Sequence, residues 1–230
     1  MTNFYEKHRP QSLDDIVFSD LQTEFMLKSI ATRDRHCDHL LLHGTNGSGK
    51  TSCAEIIAKA LTNNGGLLLR ESYDDFFKHK ELADYVNRNN FFYKSQSDDR
   101  SVIIFNELDK NTKLHNLWML MDEARSDLFV IATTNNPLQI DAAVRSRCEK
   151  HEFKRITPLQ FAPRALKIFE AENVDLDLQT VHQYLLQHSN AVSDVRDYMR
   201  TVELLVLLAK QSRLPPLDAV VKTPRLAVVV

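Results

Sequence analysis

Cysteine is scarce in this chain of 230 residues, and its spacing excludes two classes of site. The three cysteines are Cys37, Cys53 and Cys148, and no two of them form a C-x-x-C pair. A disulfide framework or a four-cysteine zinc site needs more cysteines at closer spacing. We therefore expect isolated thiols in a reducing compartment.

The chain also lacks a long apolar segment and an excess of charge of one sign. Its most apolar run, residues 202–209 (VELLVLLA), is far shorter than the roughly 20 residues that a membrane-spanning helix needs. The N-terminus, MTNFYEKHRP, carries charges where a signal peptide has its apolar core. The net charge is −2, so overall charge does not indicate nucleic-acid binding, and any basic surface must be local. These features predict a cytoplasmic protein without membrane contact.

Short apolar runs alternate with helix-forming segments over the first two thirds of the chain. Strands are predicted at residues 40–43, 67–70, 101–105 and 128–133. Helices are predicted at residues 23–30, 51–61, 72–100 and 111–124. Continuously apolar strands separated by helices are typical of a parallel sheet covered on both faces. The fold class is therefore predicted to be α/β.

The pattern changes near residue 157, beyond which only helices are predicted. They occupy residues 158–171, 177–187 and 192–210. This change predicts an α/β domain at residues 1–156, a small all-helical domain at residues 157–210 and a C-terminal tail at residues 211–230. The tail contains three prolines and ends in AVVV, which is compatible with an extension or with an edge segment of a sheet.

Residues 44–51 read GTNGSGKT, a full match to the phosphate-binding pattern G-x-x-x-x-G-K-[ST]. The glycines allow backbone N–H groups to turn towards phosphates, and the helix that follows contributes its positive N-terminal end. In this pattern Lys50 neutralises the β- and γ-phosphates, and the hydroxyl of Thr51 binds Mg²⁺. The preceding strand and the following helix make a chance match improbable.

A second motif, SVIIFNELDK at residues 101–110, delivers polar side chains at the end of a predicted strand. P-loop ATPases usually carry Asp-Glu at this point: the Asp supports the Mg²⁺ shell, and the Glu polarises the attacking water. Here Glu107 is present, but Asn106 replaces the first carboxylate. Two interpretations stay open, namely slow or tightly gated hydrolysis and a site that binds ATP without turning it over.

Two arginines further along the chain are candidates for contact with a γ-phosphate. Arg147 lies in Ser146-Arg147-Cys148, expected on a loop between the fourth strand and the helical region, where it could reach a neighbouring subunit. Arg196 lies in Asp194-Val195-Arg196 at the start of the last long helix, from which it could reach the phosphate of its own subunit.

Together these motifs resemble the AAA+ ATPase module of sliding-clamp loaders, above all the replication factor C small subunit and its tailed-phage counterparts. Residues 5–16, YEKHRPQSLDDI, are similar to that family's N-terminal box, and the SRC triplet is similar to its trans-acting arginine motif. The resemblance covers about residues 4–205. It implies a P-loop AAA+ module with a parallel sheet and a small all-helical lid domain.

The resemblance also implies roles for individual residues, with ATP and Mg²⁺ as cofactors. Glu107, Lys50 and, in trans, Arg147 would be catalytic, while Thr51 and Asn106 would hold Mg²⁺, in part through water. Asn135 would be the residue called sensor 1, for which Thr134 competes. The nucleotide would be held by Tyr5, Arg9, Gly44, Thr45, Asn46, Gly47, Ser48, Gly49, Lys50, Thr51, Ser52, Asn135 and Arg196.

The implied function is an ATP-driven subunit of a DNA polymerase clamp loader, which opens the sliding clamp and places it on primer–template DNA. Its partners would be further loader subunits in a homo- or hetero-oligomeric ring or spiral, the clamp, and DNA, in the cytoplasm or, for a eukaryotic protein, the nucleus. Candidates for phosphate contacts with DNA are Lys78, Lys80, Arg88, Lys94, Arg100, Lys110 and Lys113.

Two departures from the family pattern leave alternatives open. Asn106 favours a weakly or non-hydrolysing structural subunit of a replication complex. Residues after 210 leave no room for the helical collar that holds loader subunits together, so the expectation is a collarless loader subunit or a relative with another task in replication. A helicase-loader type of AAA+ ATPase is the other alternative, although such proteins usually lack an SRC triplet.

Overall fold

A single parallel sheet carries the first part of the fold. The computed structural model describes residues 3–62, 68–71, 101–108, 115–123, 128–189 and 193–217. Within them, five strands pair in the order β2-β3-β4-β1-β5. The strands are β1 (Leu40–Gly44), β2 (Leu68–Glu71), β3 (Ser101–Phe105), β4 (Leu128–Thr134) and β5 (Glu149–Phe153). The predicted α/β class and the first four strands are confirmed.

The fifth strand and the helix before it are absent from the sequence prediction, which expected a loop there. Arg147 is instead the last residue of helix α5, and β5 pairs with β1 at the edge of the sheet. In β5 only His151 and Phe153 are buried, and they alternate with exposed Lys150 and Glu152. A charged edge strand of this kind contains no apolar run, so its sequence resembles a loop.

Helices cover the sheet and form the second part of the fold. Their bounds are α1 (Phe4–Lys7), α2 (Leu21–Ala31), α3 (Lys50–Leu61), α4 (His115–Glu123), α5 (Ala142–Arg147), α6 (Pro158–Ala171), α7 (Leu178–His188) and α8 (Val195–Lys210). The side chains of Asp20, Thr157, Asp177 and Asp194 accept hydrogen bonds from the first turns of the helices that follow them. Such caps satisfy N–H groups that a helix start leaves unpaired. None of the helices described is long and apolar enough to cross a bilayer.

The sheet has a hydrophobic core on each face, because successive strand residues point to opposite sides. Leu41 and Ile103 belong to the face covered by α4 and α5, whereas Leu40 and Leu42 belong to the face covered by α2 and α3. All four side chains are fully buried. The three cysteines lie in these two cores as free thiols, and burial raises the pKa of Cys148 to about 12.

A third core lies among α6, α7 and α8. Phe161 of α6 stacks on Tyr198 of α8 with 4.9 Å between ring centroids, and the Tyr198 hydroxyl donates to the carbonyl of Ile156 at 3.0 Å. Ile156 also pairs with Ser193 in an isolated antiparallel bridge. Leu214 and Leu217 of the tail pack against this core, and residues 218–230 lie outside the described part of the chain.

The N-terminal segment, residues 3–17, is bonded both to α3 beside the sheet, through an ion pair between Arg9 and Glu55, and to the helical part of the fold. Arg164 of α6 pairs with Asp15 and donates to the carbonyl of His8 at 2.8 Å. Glu172, at the end of α6, is 6% exposed and accepts from Lys210 of α8, from Lys7 and from His8, at 2.5, 2.6 and 2.7 Å. The hydrogen bonds from Lys210 and Lys7 lower the pKa of Glu172 to about 2.

Replacing Glu172 with glutamine should destabilise the protein at neutral pH but much less in acid. Because the folded-state pKa is depressed, the carboxylate stabilises the fold above its unfolded pKa of about 4.5, and this contribution is lost as pH falls towards about 2. Because the two lysines are half-exposed, water screens their attraction to Glu172, and we expect a loss of about 2 kcal/mol near pH 7. Urea unfolding at several pH values measures it, with exposed Glu170→Gln on the same helix as the control. A pH-independent difference between Glu172→Gln and the native chain would contradict this role.

Candidate functional site

The carboxyl ends of β1, β3 and β4 open into one cleft. In a parallel sheet the loops that follow adjacent strands meet at the same edge, which is where ligands bind in this class of fold. The cleft is lined by Tyr5, Asn46, Gly47, Ser48, Gly49, Lys50, Thr51, Ser52, Glu107, Thr133, Thr134, Asn135 and Arg196. Most of the nucleotide-binding residues predicted from the sequence therefore surround one cavity.

The loop after β1 has the geometry of an anion cradle. Its three glycines have positive φ, and α3 begins at Lys50 directly after Gly49. The Lys50 side chain is buried and donates to the carbonyls of Gly44 at 3.0 Å and Thr45 at 2.7 Å. Beside it, burial lowers the pKa of His43 at the end of β1, so this imidazole adds no positive charge near pH 7. The loop thus combines one cation with a helix start, as phosphate binding requires.

The backbone after β3 is held by β4. Glu107 has φ +53°, and its N–H donates to the hydroxyl of Thr133 at 3.1 Å, while the N–H of Leu108 donates to the carbonyl of Thr133 at 2.8 Å. These two bonds keep the carboxylate-bearing residue at the cleft in a conformation that non-glycine residues seldom adopt. The sequence analysis gave Thr133 no role, although Thr133 directly precedes the two sensor 1 candidates and could have been considered with them.

Asn106 lies beside Glu107 but is not among the residues lining the cleft. It is half-buried, and its Oδ1 accepts from the Thr133 hydroxyl at 3.5 Å, the outer limit for a hydrogen bond. The amide therefore faces β4. Thr51, the other residue expected at the metal, is exposed and lines the cleft.

The two sensor 1 candidates differ in surroundings. Thr134 is 1% exposed, and its hydroxyl is engaged locally, accepting from the N–H of Asn136 at 3.1 Å. Asn135 is exposed and lines the cleft. Both residues border the cavity, but only the Asn135 side chain is open to solvent there.

A second cavity adjoins the cleft, and Tyr5, Ser48, Gly49 and Ser52 line both. The N-terminal segment forms one wall and helices α6 and α8 the other. Its remaining lining is His8, Arg9, Pro10, Asp15, Ile16, Val17, Phe161, Arg164, Val195 and Met199. Arg9 is held to helix α3 by an ion pair with Glu55, a mostly buried carboxylate. A largely apolar cavity with a few polar groups is suited to a flat heterocyclic base.

Helix α8 reaches the phosphate loop directly. Its first residue, Val195, donates its N–H to the carbonyl of Gly47 at 3.1 Å, and Arg196 lines the cleft. The Asp194 carboxylate packs on Gly47 so closely that a Cβ there would lie 2.8 Å from Asp194 Cγ. Sequence reasoning proposed Arg196 but gave Asp194 no role, because the contact joins residues far apart in the chain.

Arg147 lies away from the cleft and contacts other residues of the chain. Its Nε and Nη2 donate to both carboxylate oxygens of Asp122 on α4, at 2.7 and 2.6 Å. Its Nη1 donates to the carbonyl of Ala143 at 2.7 Å, and the guanidinium lies 5.1 Å from the ring centre of Trp118. The arginine is thus held in a defined position, although 29% of its side chain stays exposed.

The seven basic residues proposed for DNA contact all lie outside the described residues, as does the helix predicted at residues 72–100. In the described part of the chain, no group of three or more His, Cys, Asp or Glu residues could hold a metal ion.

Residues 40–156, just over half of the chain, match the family model described as the ATPase family associated with various cellular activities (AAA). The chain belongs to the AAA family. The match spans the sheet from β1 to β5 and ends where the bridge to Ser193 begins. Membership implies a P-loop ATPase that binds nucleotide, and the glycine cradle, Lys50 and the helix start at the cleft fit such a ligand.

Curated relatives of this AAA protein are distant. Replication factor C subunit 4 of Encephalitozoon cuniculi is 28% identical over 76% of the chain and 56% of its own length. The replication factor C small subunit of Aeropyrum pernix is 28% identical over 75% of the chain and 54% of its own length. Protein STICHEL-like 4 of Arabidopsis thaliana is 27% identical over 93% of the chain but 24% of its own length. The chain thus spans between a quarter and just over half of these relatives.

A solved structure supports the fold of the AAA protein. A RuvB variant of Thermotoga maritima superposes with a TM-score of 0.60 at 17% identity, covering 93% of this chain and 70% of that one. At this identity the likeness concerns the fold alone.

Proposed function

We propose that this AAA protein binds and hydrolyses ATP as a subunit of a sliding-clamp loader. One observation carries the nucleotide site: Lys50, Glu107, Asn135 and Arg196, from four separate parts of the chain, line the same cleft. The relatives named replication factor C support the choice of clamp loading among AAA functions. The division at residues 156–157 into an α/β domain and a lid domain belongs to this proposal.

The phosphates would lie on the loop from Gly44 to Ser52, with the base in the adjoining cavity beside Tyr5 and Arg9. The Lys50 ammonium, now bonded to two loop carbonyls, would turn to the β- and γ-phosphates, exchanging neutral acceptors for charged ones. Thr51 would hold Mg²⁺, which neutralises phosphate charge when bound. Arg196 would reach the same phosphates from the lid.

Glu107 is our candidate for aligning the attacking water, and Asn135 for sensing the γ-phosphate. The carboxylate can accept a proton or orient water from the cleft wall, where its backbone is fixed by Thr133. We assign sensor 1 to Asn135 over Thr134 because the Asn135 side chain is exposed at the cleft, whereas the Thr134 hydroxyl is engaged with Asn136.

Arg147 is proposed to act on ATP bound by a neighbouring subunit. Its guanidinium is partly exposed and held by Asp122 and Trp118, which orders it before any interface forms. An ordered arginine loses less side-chain entropy on binding a phosphate than a mobile one does. Oligomeric partners, the clamp and primer–template DNA complete the proposed assembly.

The proposal is tested by measuring ATP hydrolysis alone, with the cognate sliding clamp, with primed DNA, and with both. Co-expressed AAA subunits from the same source are included if the chain alone does not oligomerise. We expect turnover to rise at least about tenfold when clamp and primed DNA are both present. A turnover rate that is the same with and without clamp and primed DNA would contradict clamp loading. It would not contradict the assignment as an ATPase.

A second function, ATP binding without efficient hydrolysis, is favoured by Asn106. Its neutral amide faces Thr133 and gives the metal shell no negative charge. We expect Asn106→Asp to raise turnover about tenfold, because a carboxylate strengthens the hold on Mg²⁺. The same change at exposed Asn173 serves as the control. If Asn106→Asp leaves the rate unchanged, the amide does not limit hydrolysis.

A further inference from the structure

The phosphate loop and the helical part of the fold touch at Gly47. Two neighbouring groups at the start of α8 make this contact, a backbone N–H and a carboxylate. The Val195 N–H donates to the Gly47 carbonyl at 3.1 Å. The Asp194 carboxylate packs against the same residue, with both oxygens 3.0 Å from the position that a Cβ would occupy. A negative charge therefore lies directly on the loop that is built to receive phosphates.

The cap on α8 does not by itself require a carboxylate at this place. Asp194 Oδ1 accepts from the N–H of Asp197 at 3.0 Å, a bond that asparagine or serine forms equally well. Asp177 caps α7 in the same way, accepting from the N–H of Thr180 at 2.9 Å, and neither aspartate is among the residues that line the two cavities. The feature peculiar to Asp194 is its contact with the phosphate loop.

We propose that Asp194 lowers the affinity of the cleft for the phosphates of the nucleotide, through the negative charge that it places against the phosphate loop. This inference rests on the proposed function, since it assumes that the cleft binds ATP. Asp194 and Arg196 place opposite charges at one helix start, the first on the loop and the second in the cleft. Like charges repel, so the carboxylate opposes the attraction from Lys50 and Arg196 and favours release of nucleotide.

The test compares the equilibrium binding of ATP, ADP and adenosine to the native chain and to Asp194→Asn and Asp194→Ser. Both replacements keep a capping side chain, so a failure of one to fold leaves the other. We expect each to bind ATP about three- to tenfold more tightly, with a smaller gain for ADP and none for adenosine. The gain should shrink as ionic strength rises from about 0.05 to 0.5 M.

The matched control is Asp177→Asn, which removes the same charge from the same kind of cap and should leave all three affinities unchanged. Unchanged or weaker ATP binding in both Asp194 variants, or an equal gain for adenosine, would overturn the inference and leave the nucleotide site standing. If neither the native chain nor any variant binds ATP, the proposed nucleotide site itself is wrong, and the inference falls with it.

Discussion

Replacing Glu107 with glutamine is expected to lower ATP turnover by about two to three orders of magnitude while ATP binding is retained. Glutamine has nearly the same shape, so the cleft and the backbone bonds to Thr133 should persist. It cannot accept a proton from the attacking water, and this difference acts only on the chemical step. Steady-state hydrolysis and equilibrium binding of ATP, measured on one preparation, separate the two effects.

The control for Glu107→Gln is Glu152→Gln, the same substitution at an exposed position on β5. It should change neither turnover nor binding. If Glu107→Gln hydrolyses ATP at the native rate, another group aligns the water. If it loses binding together with turnover, the carboxylate has a structural role that we do not assign to it.

Replacing Gly44 with alanine should destabilise the fold by about 3 kcal/mol or more. Gly44 has φ +132°, and a Cβ there would lie 2.1 Å from the carbonyl oxygen of Phe153 and 2.8 Å from its carbon. Both are backbone atoms of β5, so relief requires β1 and β5 to separate. The adjacent Thr45 N–H, which donates to the same oxygen at 3.3 Å, would lose its partner.

Gly49→Ala is the matched control, because Gly49 also has positive φ, at +96°, but its surroundings are open. Among the described residues, no atom beyond its chain neighbours and its own helix lies within 4 Å of the position that a Cβ would take. Only the backbone conformation is then penalised, at about 1 kcal/mol. Urea unfolding without nucleotide measures both variants. Equal losses would mean that the close approach of β5 to Gly44 contributes nothing.

Strands β1 to β4 were predictable, and β5, at one edge of the sheet, was not. β3 and β4 are buried along their whole lengths and apolar except for Ser101, Thr133 and Thr134, so their composition identifies them. Most residues of β5 are charged, so its sequence does not indicate a strand. The strand is stabilised by its pairing with β1. The helix α5, six residues long, was missed because it is too short to show a hydrophobic period.

Local patterns also identified several residues that line the cleft, whereas they gave no sign of the residues that contact these from elsewhere in the chain. Lys50 and Glu107 were recognised from local patterns and line one cleft. Three contacts join residues that are far apart in the chain. Thr133 contacts Glu107, Asp122 contacts Arg147, and Asp194 contacts Gly47. A single sequence contains no record of such pairs, because each contact depends on how whole elements pack.

By itself, the sequence determined the class of fold and located the glycine-rich loop that ends in Lys50, since these depend on spacing along the backbone. Tertiary structure alone decided that Asn106 faces Thr133, that Arg147 is held by Asp122, and that Asp194 lies on the phosphate loop. The physical reason is range: a motif is a short stretch of chain, but the charge and hydrogen bonding around it come from packed neighbours brought together by folding.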